Sequence, residues 1–326
     1  MRVIVGVDLG GTNIVVGAVT EDGERVAGLQ RRVTMAEQGP DMVVKQIVGA
    51  VRESIAQAEL VWGSDLELLG IGIGSPGPID TKRGIVVTSP NLRWTNVPLR
   101  ALISEIVDLP ATLDNDANCA VLGEWWRGAA RNARVVVGVT VGTGVGGGFV
   151  LDGKIFHGAS DVAGEFGHMT IDSTGRRCAC GNYGCLEAYA SGPAIARRAI
   201  ESIEAGATSK LLQYVDGDLE RITAEEVCRA ANDGDTLAQE VVRDTARFLG
   251  AGIANLMNIC NPEIVVVCGG VTSAGELLFR PLRDEANRRA FRPAAEACRI
   301  VPGDLPGTAG VVGAVAAFKL QTTGST

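Results

Sequence analysis

The hydrophobic pattern repeats itself once along the chain. VIVGVDLGGTNIVVGAVTEDGERV, residues 3–26, resembles VVVGVTVGTGVGGGFVLDGKIF, residues 135–156. Each reads as an apolar strand, a Gly/Thr-rich turn, a second strand, an Asp-Gly turn and the start of a third strand. Asp-Gly between β-rich runs is a strong hairpin signal. The copies start 132 residues apart, too far for a solenoid repeat. Two domains of related topology are expected, each opening with the same unit.

Between and after these runs the period changes. Met42, Val43, Ile47, Val51, Ile55 and Ala58 fall at helical spacing over residues 41–58. Thr223 and Glu226 form a capping-box pattern that opens a helix over 223–231. A longer helical pattern covers 237–258 and ends near Asn261-Pro262. LELLGIGIGSPGPID, 66–80, and EIVVVCGGV, 263–271, read as strands running into turns. Residues 308–320 read as a last helix, followed by a loose TTGST tail. Helices alternating with strands give an α/β class with mixed sheets.

The chain has 326 residues, enough for two domains with their own cores. Apolar residues make up 46% and charged residues 21%, the balance of a globular chain. The 43 glycines are about twice the usual share, which points to tight turns and close backbone approaches. A net charge of −8 argues against nucleic acid as the main partner. The first apolar run is about six residues and ends in an aspartate, shorter than a signal-peptide core. No later run reaches the roughly 18 residues of a membrane span. A soluble cytoplasmic protein is expected, a setting in which lasting disulfides are rare.

Candidate chemistry sits in the turns. VDLGGTN, 7–13, puts Gly10, Gly11 and Thr12 directly after a strand, where their N–H groups form either an anion nest or a plain hairpin turn. GTGVGG, 142–147, spells the dinucleotide pattern, but the chain continues as a strand and an Asp152-Gly153 turn. A dinucleotide site requires a helix there, so that reading is rejected. No P-loop motif occurs. Two matching turns, one from each domain, suit the two sides of one polyphosphate, and Gly269-Gly270 suits the border of a base. The combination favours a nucleoside triphosphate.

RRCACGNYGCLE, 176–187, holds Cys178, Cys180 and Cys185, whereas Cys119, Cys228, Cys260, Cys268 and Cys298 are scattered. The spacing is neither a C-x-x-C redox pair nor a usual zinc ribbon. With His168 ten residues upstream, it makes up a Cys₃His set of the kind that holds structural zinc. Three unreactive cysteines are the alternative. LDNDANCA, 113–120, places Asp114 and Asp116 around Asn115 at a strand–helix junction, where a carboxylate commonly just caps the helix. Glu165 and His168 share a face if their turn is helical. His157 reads as an ordinary packing or surface histidine.

Together DLGGTN (8–13), LDNDAN (113–118), GTGVGGG (142–148), GEFGH (164–168) and CACGNYGCLE (178–187) resemble the ROK family, from residue 3 to about residue 320. DLGGTN alone is shared more widely, across the actin-like ATPases and sugar kinases. The resemblance implies two actin-like ATPase (ribonuclease H-like) domains with an interdomain cleft. Residues 1–117 with 305–326 would form the smaller domain, and 118–304 the larger one with a zinc loop. It implies ATP-dependent phosphorylation of glucose, with Asp116 as general base. Gly77, Asn115, Asp116, Glu165, His168 and Glu187 would hold the sugar. Asp8, Gly10, Gly11, Thr12, Asn13, Thr143, Gly144, Gly269 and Gly270 would hold Mg-ATP, with Asp8 near the magnesium. His168, Cys178, Cys180 and Cys185 would bind structural zinc. Asp114 stands where many family members have Glu, a change expected to be neutral.

The family also suggests a homodimer or homotetramer, and the acidic charge and short apolar runs suggest no nucleic-acid or membrane partner. Mannose, fructose, allose or N-acetylmannosamine remain rival acceptors, and polyphosphate a rival donor. A sugar-sensing regulator is disfavoured, because a strand starting at residue 3 leaves no room for a helix-turn-helix domain.

Overall fold

In a computed structural model that describes residues 1–326, β1 (Arg2–Leu9), β2 (Asn13–Thr20) and β3 (Val26–Val33) form an antiparallel meander. Val3 to Val7 are buried without alternation, the signature of a strand covered on both faces. The first helix, α1 (Pro40–Trp62), starts with proline in its first turn and stops at Gly63. It runs past both ends of the predicted 41–58. Val43, Ile47, Val51 and Ala58 are buried as the spacing requires, and Met42 and Ile55 flank them half-buried.

The chain continues through β4 (Glu67–Ser75), β5 (Ile79–Asp80), β6 (Ile85–Ser89), β7 (Trp94–Val97), α2 (Leu99–Val107), β8 (Ala111–Asn115) and α3 (Asp116–Arg127). The second strand unit is β9 (Val135–Val141), β10 (Val145–Leu151) and β11 (Lys154–Ile155). Helices α4 (Glu187–Ala190), α5 (Gly192–Glu204), α6 (Leu211–Tyr214), α7 (Ala224–Asn232) and α8 (Thr236–Cys260) follow. The chain ends with β12 (Ile264–Cys268), α9 (Glu276–Arg289), α10 (Arg292–Ala297), β13 (Arg299–Pro302) and α11 (Ala309–Thr323). No helix is long and apolar enough to cross a membrane.

One sheet runs β3-β2-β1-β4-β8 and another β11-β10-β9-β12-β13. The order is the same in both: a meander, then two strands from later in the chain. In the first sheet β4 joins β1, and β8 joins β4, in parallel; in the second, β13 lies parallel to β12. The repeat seen in the sequence is thus a repeat of topology. A small third sheet, β5-β6-β7, completes the set.

The chain divides into two compact units. One comprises residues 1–138, 148–164 and 303–326; the other comprises 139–147 and 165–302. In the first, Val5, Val7, Ile14, Ile47, Val51, Ile71, Ile73 and Leu113 belong to one buried cluster. Each such side chain contributes about 1.5–3 kcal/mol on burial. Helices α3 and α11 cross there at backbone contact, because a Cβ at Gly313 would collide with the Cys119 carbonyl. In the second unit α8 is capped by Asp235 and closed by Asn261 in the left-handed conformation, and α7 carries the predicted Thr223–Glu226 capping box.

Candidate functional site

In the first unit, the DLGGTN turn joins β1 to β2. The Gly10 N–H donates to the Asn13 carbonyl at 2.8 Å. Thr34, fully buried, donates its hydroxyl to the Gly10 carbonyl at 2.7 Å and its N–H to the Thr12 carbonyl at 2.9 Å. Sequence reasoning missed Thr34, which directly follows β3 and is 24 residues along the chain from the Gly10 it fastens. Gly11 is half-buried, and Thr12 and Asn13 are exposed. Asp8, at the end of β1, lies against Gly310 of α11, where any side chain would strike its carboxylate. Burial pushes its pKa from 3.8 up to about 6, against the pull of the Arg31 guanidinium.

The same unit carries the LDNDAN junction. Asn115 is the N-cap of α3: its Oδ1 accepts the Ala117 N–H at 2.9 Å and the Asn118 N–H at 3.1 Å. Its amide reaches the Gly77 carbonyl at 3.4 Å, and Gly77 holds a φ of +100°. Asp116 is the first helical residue, half-buried, with Oδ1 on the Ala117 N–H at 2.9 Å. Asn115, Asp116 and Gly77 are therefore brought together.

Two residues left outside the expected site are drawn into this junction. Asp114, expected to be a neutral variation, is only 1% exposed. His157, expected to be an ordinary histidine, places Nε2 2.9 Å from Asp114 Oδ2. That hydrogen bond raises the His157 pKa, with burial opposing it and Asp161 adding to it.

The second unit carries the other turn. The Gly142 N–H donates to the Gly144 carbonyl at 2.9 Å, and the Gly192 N–H to the Gly142 carbonyl at 2.8 Å. Thr143 is exposed. Glu187 opens α4, and its Oε2 accepts the Val145 N–H at 3.0 Å. Beside the turn lies a cavity of about 320 Å³, lined mainly by Val141, Gly142, Gly192, Ile195, Ala224 and Val271. Gly270 and Ser273 also border it, and Gly269, with φ +103°, turns the chain out of β12 towards them. Of this lining the sequence signalled Gly142, in the GTGVGG turn, and Gly270; the remainder comes from separate elements with no shared motif.

The cysteine segment folds into a knuckle. The Cys178 N–H donates to the Asn182 carbonyl at 2.7 Å and the Leu186 N–H to the Met169 carbonyl at 2.9 Å. The ligand atoms of His168, Cys178, Cys180 and Cys185 all lie within 4.8 Å of one another. Cys180 and Cys185 sulfurs are 3.7 Å apart, and Cys178 Sγ is 3.9 Å from His168 Nδ1. A tetrahedron with Zn–S near 2.3 Å has S–S edges of about 3.8 Å, so the four residues fit zinc. His168 Nε2 faces Glu165 at 3.9 Å, the carboxylate partner that commonly orients a ligating imidazole. The structure confirms a helical turn at Phe166–His168. Burial raises the Glu165 carboxyl, His168 lowers it and Glu187 raises it, so these three groups share one surface.

The ROK family model matches residues 4–321. A glucokinase of Halalkalibacterium halodurans is 38% identical, over 96% of this chain and 93% of its own length. The xylose repressor of Caldicellulosiruptor bescii is 33% identical over 96% of this chain and 77% of its own length. The crystal structure of a ROK family glucokinase from Streptomyces griseus, in complex with glucose and AMPPNP, superposes with a TM-score of 0.85. It is 35% identical, covering 96% of this chain and 98% of that one.

Proposed function

The chain belongs to the ROK family, and from that premise we propose that it transfers the γ-phosphoryl group of Mg-ATP to glucose. The products are glucose 6-phosphate and ADP. The observation that carries the choice of donor is the apolar cavity that shares Gly142 with a glycine turn. A flat apolar base fits beside a turn whose backbone approaches phosphates, whereas polyphosphate would leave the cavity unused.

In this reading Asn115 and Asp116 hold sugar hydroxyls, with Gly77, Glu165, His168 and Glu187 contributing further contacts. Asp116 accepts the proton of the 6-hydroxyl as that oxygen attacks the γ-phosphorus and the bond to the ADP oxygen breaks. Such a base contributes about 10²–10⁴-fold. The remainder is positioning and charge neutralisation. Gly10, Gly11, Thr12, Asn13, Thr143 and Gly144 offer backbone and hydroxyl donors to the phosphates. Asp8 is the residue that would hold magnesium, through its hydration shell, and the ion would neutralise phosphate charge. Zinc at His168, Cys178, Cys180 and Cys185 would be structural, fixing the segment that delivers Glu187 to the Val145 N–H. A cytoplasmic homodimer or homotetramer belongs to the same reading.

The test is ADP release from Mg-ATP, and separately phosphate transfer from polyphosphate, with glucose, mannose, fructose, allose and N-acetylmannosamine each offered alone. Release driven by glucose is expected. Release with another sugar only would overturn the acceptor, and transfer from polyphosphate only would overturn the donor. No transfer from a folded, zinc-loaded sample would leave a sugar sensor, the role the similarity to a xylose repressor would then favour.

A further inference from the structure

Asp114 has no role in the reading above, yet it is one of the most completely engaged side chains in the first unit. Its Oδ1 accepts the Asn115 N–H at 2.8 Å and the Asn118 amide at 3.3 Å. Its Oδ2 accepts the Gln321 amide at 3.3 Å and meets His157 Nε2 at 2.9 Å. Four contacts fill the four acceptor positions of a carboxylate, leaving no place for a proton of its own. With those positions taken, the hydrogen between the two residues is assigned to His157 Nε2. That fixes the tautomer: when neutral, the ring carries its hydrogen on Nε2 and leaves Nδ1 bare.

The imidazole is itself held. The His157 carbonyl accepts the Ala163 N–H at 3.1 Å, closing the loop on which the ring sits. Further along the loop, Asp161 Oδ2 accepts both the N–H and the hydroxyl of Thr81, each at 3.1 Å. Asp161 adopts a φ of +58°, the left-handed conformation that Asp tolerates better than most residues. The loop that carries the ring is thus pinned at two points.

What Asp114 controls is the backbone between it and Asp116. Its Oδ1 anchors the Asn115 N–H, and Asn115 then caps α3, whose first residue is Asp116. We propose that His157 is a positioning residue for phosphoryl transfer, acting through Asp114 to fix the strand end that presents Asn115 and Asp116. The proposal rests on the reading of Asp116 as the base. The charged group acting on the imidazole besides Asp114 is Asp161, while Asp8 and Asp116 converge with Asp114 on the buried Cys119 thiol. A neutral or cationic donor at position 157 suits this crowd of carboxylates, and an acid there would not.

Three variants test it. His157→Ala and His157→Met remove the donor, the second while keeping volume; His157→Gln keeps an N–H near the position of Nε2. The expected result is a fall in kcat of about tenfold for Ala and Met, with the glucose KM moved less than threefold, and recovery to within about twofold for Gln. Loss in Gln equal to that in Met, or full kcat in Met, overturns the proposal. The chain has only two histidines, so ¹⁵N imidazole spectra resolve His157 directly. An Nε2–H signal that shifts on Asp114→Asn is expected, and an Nδ1–H tautomer overturns the contact. If the wild type transfers phosphate to no sugar, that failure belongs to the base assignment, and the tautomer still decides whether His157 holds Asp114.

Discussion

Asp116 is aimed by the helix it starts. Its Oδ1 takes the Ala117 N–H at 2.9 Å, which sets the direction of the carboxylate at the first residue of α3. Asp116→Asn keeps the volume and that hydrogen bond but cannot accept a proton. Turnover should fall by about 10²–10⁴-fold, while glucose affinity measured by calorimetry stays within about threefold. Turnover above a tenth of wild type would reject the assignment. The DNDAN pattern made Asp116 legible through family resemblance. Asp114 was not legible, since its partners His157 and Gln321 lie 43 and 207 residues away and an Asp beside Asn-Asp looks like part of a cap. The pair also has a pH signature. Because the His157 pKa is raised on folding, its charge stabilises the fold fully below about pH 6.5. That contribution is lost as pH rises through the raised value. The melting temperature of the wild type should therefore fall relative to His157→Gln between pH 6 and pH 8.5. A constant difference across that range would show that the pair does not titrate.

Among elements, α3 shows how a helix can serve two ends of the chain. Glu124, 1% exposed, sits within the GEWW segment of α3. Its Oε2 accepts the Ala129 and Asp304 N–H groups and its Oε1 the Leu305 N–H, each at 2.9 Å. Asp304 and Leu305 follow directly on Gly303, where the chain re-enters the first unit. The glutamate thereby ties the incoming strand of chain to α3 just before α11 begins. Glu124→Ala would leave three backbone donors without their partner, at half-buried Ala129 and Leu305 and exposed Asp304, so that water recovers part of the roughly 1–3 kcal/mol that each would cost if fully buried. We expect a loss of about 3–5 kcal/mol in urea unfolding, with Glu124→Gln losing less because it keeps an acceptor oxygen. A loss below about 1 kcal/mol for Ala would mean that water replaces the carboxylate. Helices α1, α7, α8 and α11 were legible from apolar spacing and caps. Helix α9 was not: Pro281 lies inside it, and proline ordinarily ends a helix. Nor was α5, whose Ser191 cap and early Pro193 follow directly on a glycine- and cysteine-rich segment that carries no helical period.

At the scale of the whole molecule, the repeated strand unit predicted the repeated sheet order because period-2 patterning and turn residues act locally. What those local rules do not reach is a cavity assembled from distant pieces. Val141 ends β9, Gly192 and Ile195 belong to α5, Ala224 opens α7, and Val271 follows β12. No spacing links them, so the apolar space beside Gly142 emerged only from the fold. If that space receives the adenine, filling it should separate the two substrates. Ala224→Trp adds an indole at the cavity wall without touching Asp116 or the cysteine knuckle. The KM for ATP should rise at least tenfold, about 1.4 kcal/mol of lost binding, and an ATP analogue should bind correspondingly more weakly in calorimetry. Glucose affinity and zinc content should stay at wild-type values. An unchanged KM for ATP with the fold intact would place the base elsewhere and remove the main support for a nucleotide donor, whereas equal losses for ATP and glucose would show that the substitution has disturbed the second unit as a whole.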